Sequence, residues 1–170
     1  MNNSKIIKII LIFLGLFLTI GCEDDNPTGV CTPESATITG TITFSGTWPS
    51  DAPDGSVAVS LSSNWPPTGA PAAYTAITET DVTNNTYNYT FENVTFGEYA
   101  SIAISWSDPN DSNPATQQHT IGAYGGTCPF FATYGGVDPT AIIASTTEYS
   151  LTGLDFTADF SFTTSSTCGI

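Results

Sequence analysis

The feature that most constrains this chain is the two-residue alternation across residues 86–106, TYNYTFENVTFGEYASIAISW. Tyr87, Tyr89 and Phe91 fall on one face of an extended arm. A short connection follows at Glu92 and Asn93, and beyond Gly97 a second arm places Ile102, Ile104 and Trp106 on a single face. A side-chain period of two marks a strand with one buried side, so this stretch predicts paired β-strands over a core. Weaker copies of the pattern lie on either side of it. In residues 37–44, Ile38, Gly40, Ile42 and Phe44 point one way and four threonines the other, and in residues 57–62 Val57, Val59 and Leu61 alternate with Ala58, Ser60 and Ser62. Further strands are expected over residues 74–78, 116–124, 140–145 (with a continuation over 147–151) and 154–163, where Leu154, Phe156, Ala158, Phe160 and Phe162 share a face.

Between these runs lie turn formers. Residues 48–55, 64–71 and 108–114 are rich in Pro, Asp, Asn and Gly, and residues 125–139 hold four glycines and two prolines and predict irregular structure. No helical 3.6-residue pattern occurs after the first twenty positions. With 170 residues the chain can bury one ordinary core. Together these features predict an all-β fold, a two-sheet antiparallel β-sandwich of about seven or eight strands, with a barrel as the alternative closure.

The N-terminal segment follows different rules. Lys5 and Lys8 precede an apolar run over residues 9–20 that closes on Gly21-Cys22. The run is shorter than the roughly 20 residues that span a bilayer and has the layout of a secretory signal helix. Thr19-Ile20-Gly21-Cys22 resembles the lipobox of bacterial lipoproteins, which implies cleavage before Cys22, acylation of that cysteine and attachment to the membrane through its lipid. Glu23-Asp24-Asp25 resembles the acidic signal that sends some of these lipoproteins to the outer cell surface, and reads equally as a solvated linker. The expected organisation is a signal peptide over residues 1–21, a tether over 22–36 and a single sandwich domain over 37–170, in the cell envelope at the outer membrane or cell surface.

Charge narrows the partners. The chain has 16 acidic residues, one histidine and a formal charge of −14, and both of its basic residues are Lys5 and Lys8, so loss of the signal segment takes the charge to −16. A body without Lys or Arg repels phosphate backbones and anionic headgroups, which excludes nucleic acid as a partner. A neutral polysaccharide or another envelope protein is compatible with it, and no cofactor is expected.

The runs ITGTITF, VAVSL and YTFENVTFGEY resemble the carboxypeptidase regulatory-like, or transthyretin-like (prealbumin-like), sandwich family. The shared pattern is an inward glycine in the first strand (Gly40), a Val-rich second strand (Val57, Val59, Leu61), and an aromatic strand leading into Asn93, Val94, Gly97, Glu98 and Tyr99. It covers roughly residues 37–106, with a looser match at 154–162. The resemblance implies a fold and no catalytic residue.

Several residues carry candidate chemistry. Trp48 and Trp65 each precede a proline in a loop, with Tyr74 nearby and Phe130, Phe131 and Tyr134 in a later loop. Such rings either stack on sugar faces or cap the ends of a small core. His119, the sole histidine, would have to centre any hydrolase site, but no Gly-x-Ser-x-Gly motif accompanies it and the reading is non-enzymatic. Asp108, Asn110 and Asp111 gather oxygen ligands as a calcium loop would. They depart from the EF-hand pattern at Asn113 and His119, and read first as turn residues. With Cys22 lipidated, Cys31, Cys128 and Cys168 remain, which predicts one disulfide. Closing the shorter loop favours Cys128 with Cys168, Cys31 being the alternative partner.

Overall fold

The computed structural model describes residues 32–50, 52–114 and 116–163. The expected signal helix, Cys22, Cys31 and Cys168 lie outside the described residues. All described strands belong to one compact unit, Pro33–Ile170.

The fold is all-β. Its strands are β1 (Ala36–Ser45), β2 (Val57–Ser62), β3 (Ala73–Ile77), β4 (Thr86–Val94), β5 (Gly97–Tyr99), β6 (Ser101–Ser107), β7 (Gln118–Ala123), β8 (Ile142–Ala144), β9 (Ser150–Leu151) and β10 (Phe156–Asp159). The main sheet runs β3-β2-β6-β7-β10-β1-β4, with β9 also on β1, and β5 pairs with β8 in a small second sheet. The order divides into a half built on β2 and β6 and a half built on β1 and β4. Inward residues of both, among them Val59, Leu61, Ile104 and Ile121 from the first and Ile38, Ile42, Tyr89 and Phe156 from the second, form one buried cluster. Trp48 closes an end of it, its ring 5.8 Å from Phe44 and 4.8 Å from Phe160.

The two arms of residues 86–106 both form, but they do not pair with each other. β4 pairs antiparallel with β1, and β6 pairs with β2 and β7. Both arms bury one face, and facing the same core from opposite halves satisfies that pattern as well as lying side by side. Asn84 and Asn85 make the turn into β4, both with positive φ (52° and 61°) and flanked by reciprocal Thr83–Thr86 backbone bonds of 3.0 Å. Asparagine tolerates this left-handed geometry better than most residues.

The main sheet is mixed, not wholly antiparallel: β9 and β10 both run parallel to β1. They form a broken strand along one edge of β1. β9 pairs with Thr37 and Ile38, β10 pairs from Ile42 to Ser45, and residues 152–155 leave the ladder opposite Gly40. Within this gap Leu154 N–H donates to Thr39 O (3.2 Å) and Asp155 Oδ1 accepts from Thr41 N–H (2.7 Å). The buried Tyr89 hydroxyl donates to Leu154 O at 2.7 Å. Gly40 makes this possible, since a Cβ there would lie 2.3 Å from Leu154 O. The last strand is therefore shorter than the alternation of residues 154–163 predicts. It ends at Asp159, and Phe160–Thr163 wind into a 3₁₀ turn.

β10 joins the halves through the single pair Ala158–Gly122. Gly122 is also forced by crowding, because a Cβ would lie 2.3 Å from Thr157 O. A register shift in the β6–β7 pairing, between Ile104 and Ser105, accompanies this approach.

Candidate functional site

Alternation that sends Val57, Val59 and Leu61 inward sends small residues outward, and pairing sets them in rows. Tyr74, Ser60, Ala103 and Ala123 are successive partners across β3, β2, β6 and β7, as are Ala76, Ala58, Ser105 and Thr120 one row along. Rows two residues apart are about 7 Å apart. Because these side chains are short, the outer face is a recessed floor, and the loops at its ends rise above it as walls.

The result is a groove of about 1080 Å³. One end is aromatic. Trp65, in the β2–β3 connection, donates its indole N–H to Phe130 O at 2.9 Å and stacks on Phe131, with centroids 5.4 Å apart and planes inclined by 25°. Phe130 has φ of 64° and folds down onto Ala103 and Ala123 in a small satellite core, with Phe162 edge-on to it at 6.3 Å. Tyr74 stands on the floor side, 68% exposed. The far end is polar, lined by Asp108, Asp111 and Thr116 of the β6–β7 connection and by Ser56. Ser56 is buried, and among the described residues its hydroxyl has no hydrogen-bond partner. On the floor, Ser60 Oγ reaches Ala103 O only at 3.5 Å, and Ser107 Oγ accepts from Gln117 Nε2 at 3.0 Å.

Behind the aromatic end is a smaller cleft of about 500 Å³, lined by Trp65, Pro66, Phe131, Thr133, Tyr134 and Asp138. Trp65, Pro66 and Phe131 line both spaces.

Of the three aromatics singled out in the sequence, the structure brings Trp65 and Tyr74 to one groove. It leaves Trp48 between Phe44 and Phe160, outside the groove lining. Phe131 takes the place beside Trp65 that sequence spacing could not assign, since 65 residues of chain separate Trp65 from the carbonyl it binds.

His119 lies at the groove margin, half-buried, its ring 5.4 Å from Trp106 and inclined by 30°. Among the described residues no hydrogen bond joins it to a serine or a carboxylate. In the acidic loop, Asp108 Oδ1 accepts from Asn110 N–H (2.8 Å), Asp111 Oδ1 from Asn113 N–H (2.8 Å) and Asp111 Oδ2 from Thr116 Oγ1 (2.6 Å). The Thr116 hydroxyl, then the Asn113 amide, hold the Asp111 carboxyl below its ordinary 3.8. These carboxylates fold the turn on itself. Among the described residues no group of three or more His, Cys, Asp or Glu side chains is placed to hold a metal ion. Cys128 is half-buried and is not a free thiol. Both of its candidate partners, Cys168 and Cys31, lie outside the described residues.

No helix among the described residues is long and apolar enough to cross a membrane. Compared with protein-family models, curated proteins and solved structures, the chain matches none.

Proposed function

We propose that this protein is a non-catalytic binding module, held to the bacterial cell envelope by lipid on Cys22, whose outer-face groove takes a neutral polysaccharide. The observation that carries the reading is the joint placement of Tyr74 and the Trp65–Phe131 stack around a floor of Ser and Ala. Aromatic faces and edges bury the apolar faces of sugar rings, while Ser hydroxyls and the Asp108 and Asp111 end offer hydrogen bonds to sugar hydroxyls. An anionic ligand would need Arg or Lys, and the chain has neither after Lys8. A protein partner is less well matched, because the floor is recessed and hydroxyl-bearing, whereas protein interfaces bury a well-packed, more apolar centre.

The resemblance to carboxypeptidase regulatory-like modules is part of this proposal. It is supported by the inward Gly40 beneath the Tyr89 hydroxyl and by the burial of Val57, Val59 and Leu61. A disulfide from Cys128 to Cys168, or to Cys31, would tie down the loop that carries Phe130 and Phe131.

The test is a neutral-glycan array followed by calorimetry on wild type and Tyr74→Ala. Among the described residues the Tyr74 side chain makes no hydrogen bond, and it is mostly exposed, so its loss should abolish binding and leave the circular dichroism spectrum unchanged. Binding that survives Tyr74→Ala moves the site away from this groove. Turnover of a chromogenic ester, peptide or glycoside that disappears in His119→Ala overturns the non-catalytic reading.

A further inference from the structure

We infer that the ligand is a linear chain of several sugar units that crosses the Trp65–Phe131 wall, and that Tyr134 and Asp138 form a second subsite beyond it. The inference rests on the neutral-polysaccharide reading above and adds to it the length of ligand recognised. Its basis is that the groove and the smaller cleft share a wall: Trp65, Pro66 and Phe131 border both. A ligand confined to one ring would use one side of that wall only. Exposed tyrosines stand on the two sides, Tyr74 at 68% and Tyr134 at 77% exposure, and Tyr134 meets Phe131 nearly perpendicular (78°) at 6.0 Å. A ring so exposed, whose aromatic contact among the described residues is this edge one, keeps a face for a ligand.

Polar chemistry on the far side matches the near side. Asp138 Oδ1 accepts from Ala132 N–H at 3.1 Å, which fixes the carboxylate and leaves its second oxygen for a sugar hydroxyl. The wall is also built to keep its shape. Trp65 is bonded to Phe130 O, and Phe131 O accepts from both Tyr134 N–H and Gly136 N–H at 3.0 Å. Gly136 packs so closely that a Cβ would lie 2.6 Å from Thr127 O. Fixed subsites at fixed spacing suit a polymer with a regular repeat, because little ordering entropy is lost when it binds. Two linked contacts then reinforce each other, the second unit being delivered at high effective concentration.

The experiment is calorimetry of the full chain against neutral linear oligosaccharides, from disaccharide to hexasaccharide, of whichever series the array identifies. Affinity should rise about tenfold or more along the series, as linked subsites require. Tyr134→Ala should lower hexasaccharide affinity by about the same factor and flatten the length dependence, Tyr134→Phe should restore it, and Tyr149→Ala, exposed but outside both spaces, should change neither. A flat series in wild type, or a length dependence untouched by Tyr134→Ala, overturns the second subsite while leaving the groove reading intact. Failure to bind any neutral oligosaccharide removes both.

Discussion

Replacing Gly40 with alanine tests the central feature of the fold. The added methyl would sit 2.3 Å from Leu154 O, 2.7 Å from Leu154 C and 2.7 Å from the Tyr89 hydroxyl. Ordinary carbon contacts begin near 3.5 Å, so the Leu154 carbonyl must retreat by about 1 Å. Its bond from Tyr89, 2.7 Å long, cannot survive that movement. Tyr89 is 1% exposed, so its hydroxyl would be left without water or partner. Leaving a buried donor unsatisfied costs about 1–3 kcal/mol. Overpacking adds about 1–3 kcal/mol. Restricting the unfolded chain returns about 0.4–1 kcal/mol. The net destabilisation is about 1–6 kcal/mol, a fall in Tm of roughly 4–22 °C for a domain of this size. Thermal unfolding of Gly40→Ala, Tyr89→Phe and the double variant measures it. Because both substitutions break the same bond, the double variant should be less destabilised than the sum of the singles. A Gly40→Ala protein melting within about 2 °C of wild type, or strict additivity in the cycle, would refute the account.

Other outcomes follow from charge and covalent chemistry. The substitution Cys22→Ser should abolish fatty-acid labelling and release the protein from membranes; persistent labelling would rule out lipidation at Cys22. Sixteen acidic residues without a basic partner after Lys8 repel one another, so Tm should rise with NaCl as the screening length shortens to about 10 Å at 0.1 M. Calcium at matched ionic strength should add nothing, since among the described residues no group of three or more His, Cys, Asp or Glu side chains is placed to hold a metal ion. Asp81, Asp111 and Asp159 are held below 3.8, chiefly by hydrogen bonds from Thr78, Thr116 and the Ser161 amide respectively. Their stabilisation is complete above the unfolded value and is lost as pH falls through the lower folded values. Carboxyl NMR titration should place all three midpoints below 3.8, and a midpoint at or above it would show that the corresponding bond does not form in solution. Non-reducing peptide mapping should find Cys128 bridged to Cys168, or to Cys31, and three unmodified thiols after Cys22 would reject any bridge.

Strand positions were legible because they depend on local alternation, which residues such as Ile102, Ile104 and Trp106 carry unambiguously. Strand neighbours were not, since period two states that a face is buried and does not say against what; hence β4 and β6 separate into opposite halves. The parallel course of β10 was hidden for the same reason, and the alternation of residues 154–163 concealed both the gap opposite Gly40 and the closing 3₁₀ turn. In the groove, Trp65 and Tyr74 were visible as loop and strand aromatics. Trp48 carries the same Trp-Pro signal as Trp65 yet packs on Phe44 and Phe160, so the dipeptide alone cannot separate the two fates. The partnership of Trp65 with Phe131 is set by where two distant loops meet above the sheet. The outward Ser and Ala of β2 and β6 were legible as an alternation but not as a floor, because a recess exists only relative to its walls.

The position of β10 also bears on the order in which the chain can fold. It is the last of the described strands, yet it lies between β7 and β1 and, among the described strands, is the one that pairs with both halves. A chain that ends before residue 156 therefore leaves open edges on β1 and β7 and nothing to pair between them. Pairing across more than a hundred residues, as between Ile42 and Phe156, is slow because the loop must close before any contact repays it. Cooperative closure of the main sheet is thus deferred until residues 156–159 are available to pair, so the strand that comes late in the chain order locks a strand that precedes it by more than a hundred residues.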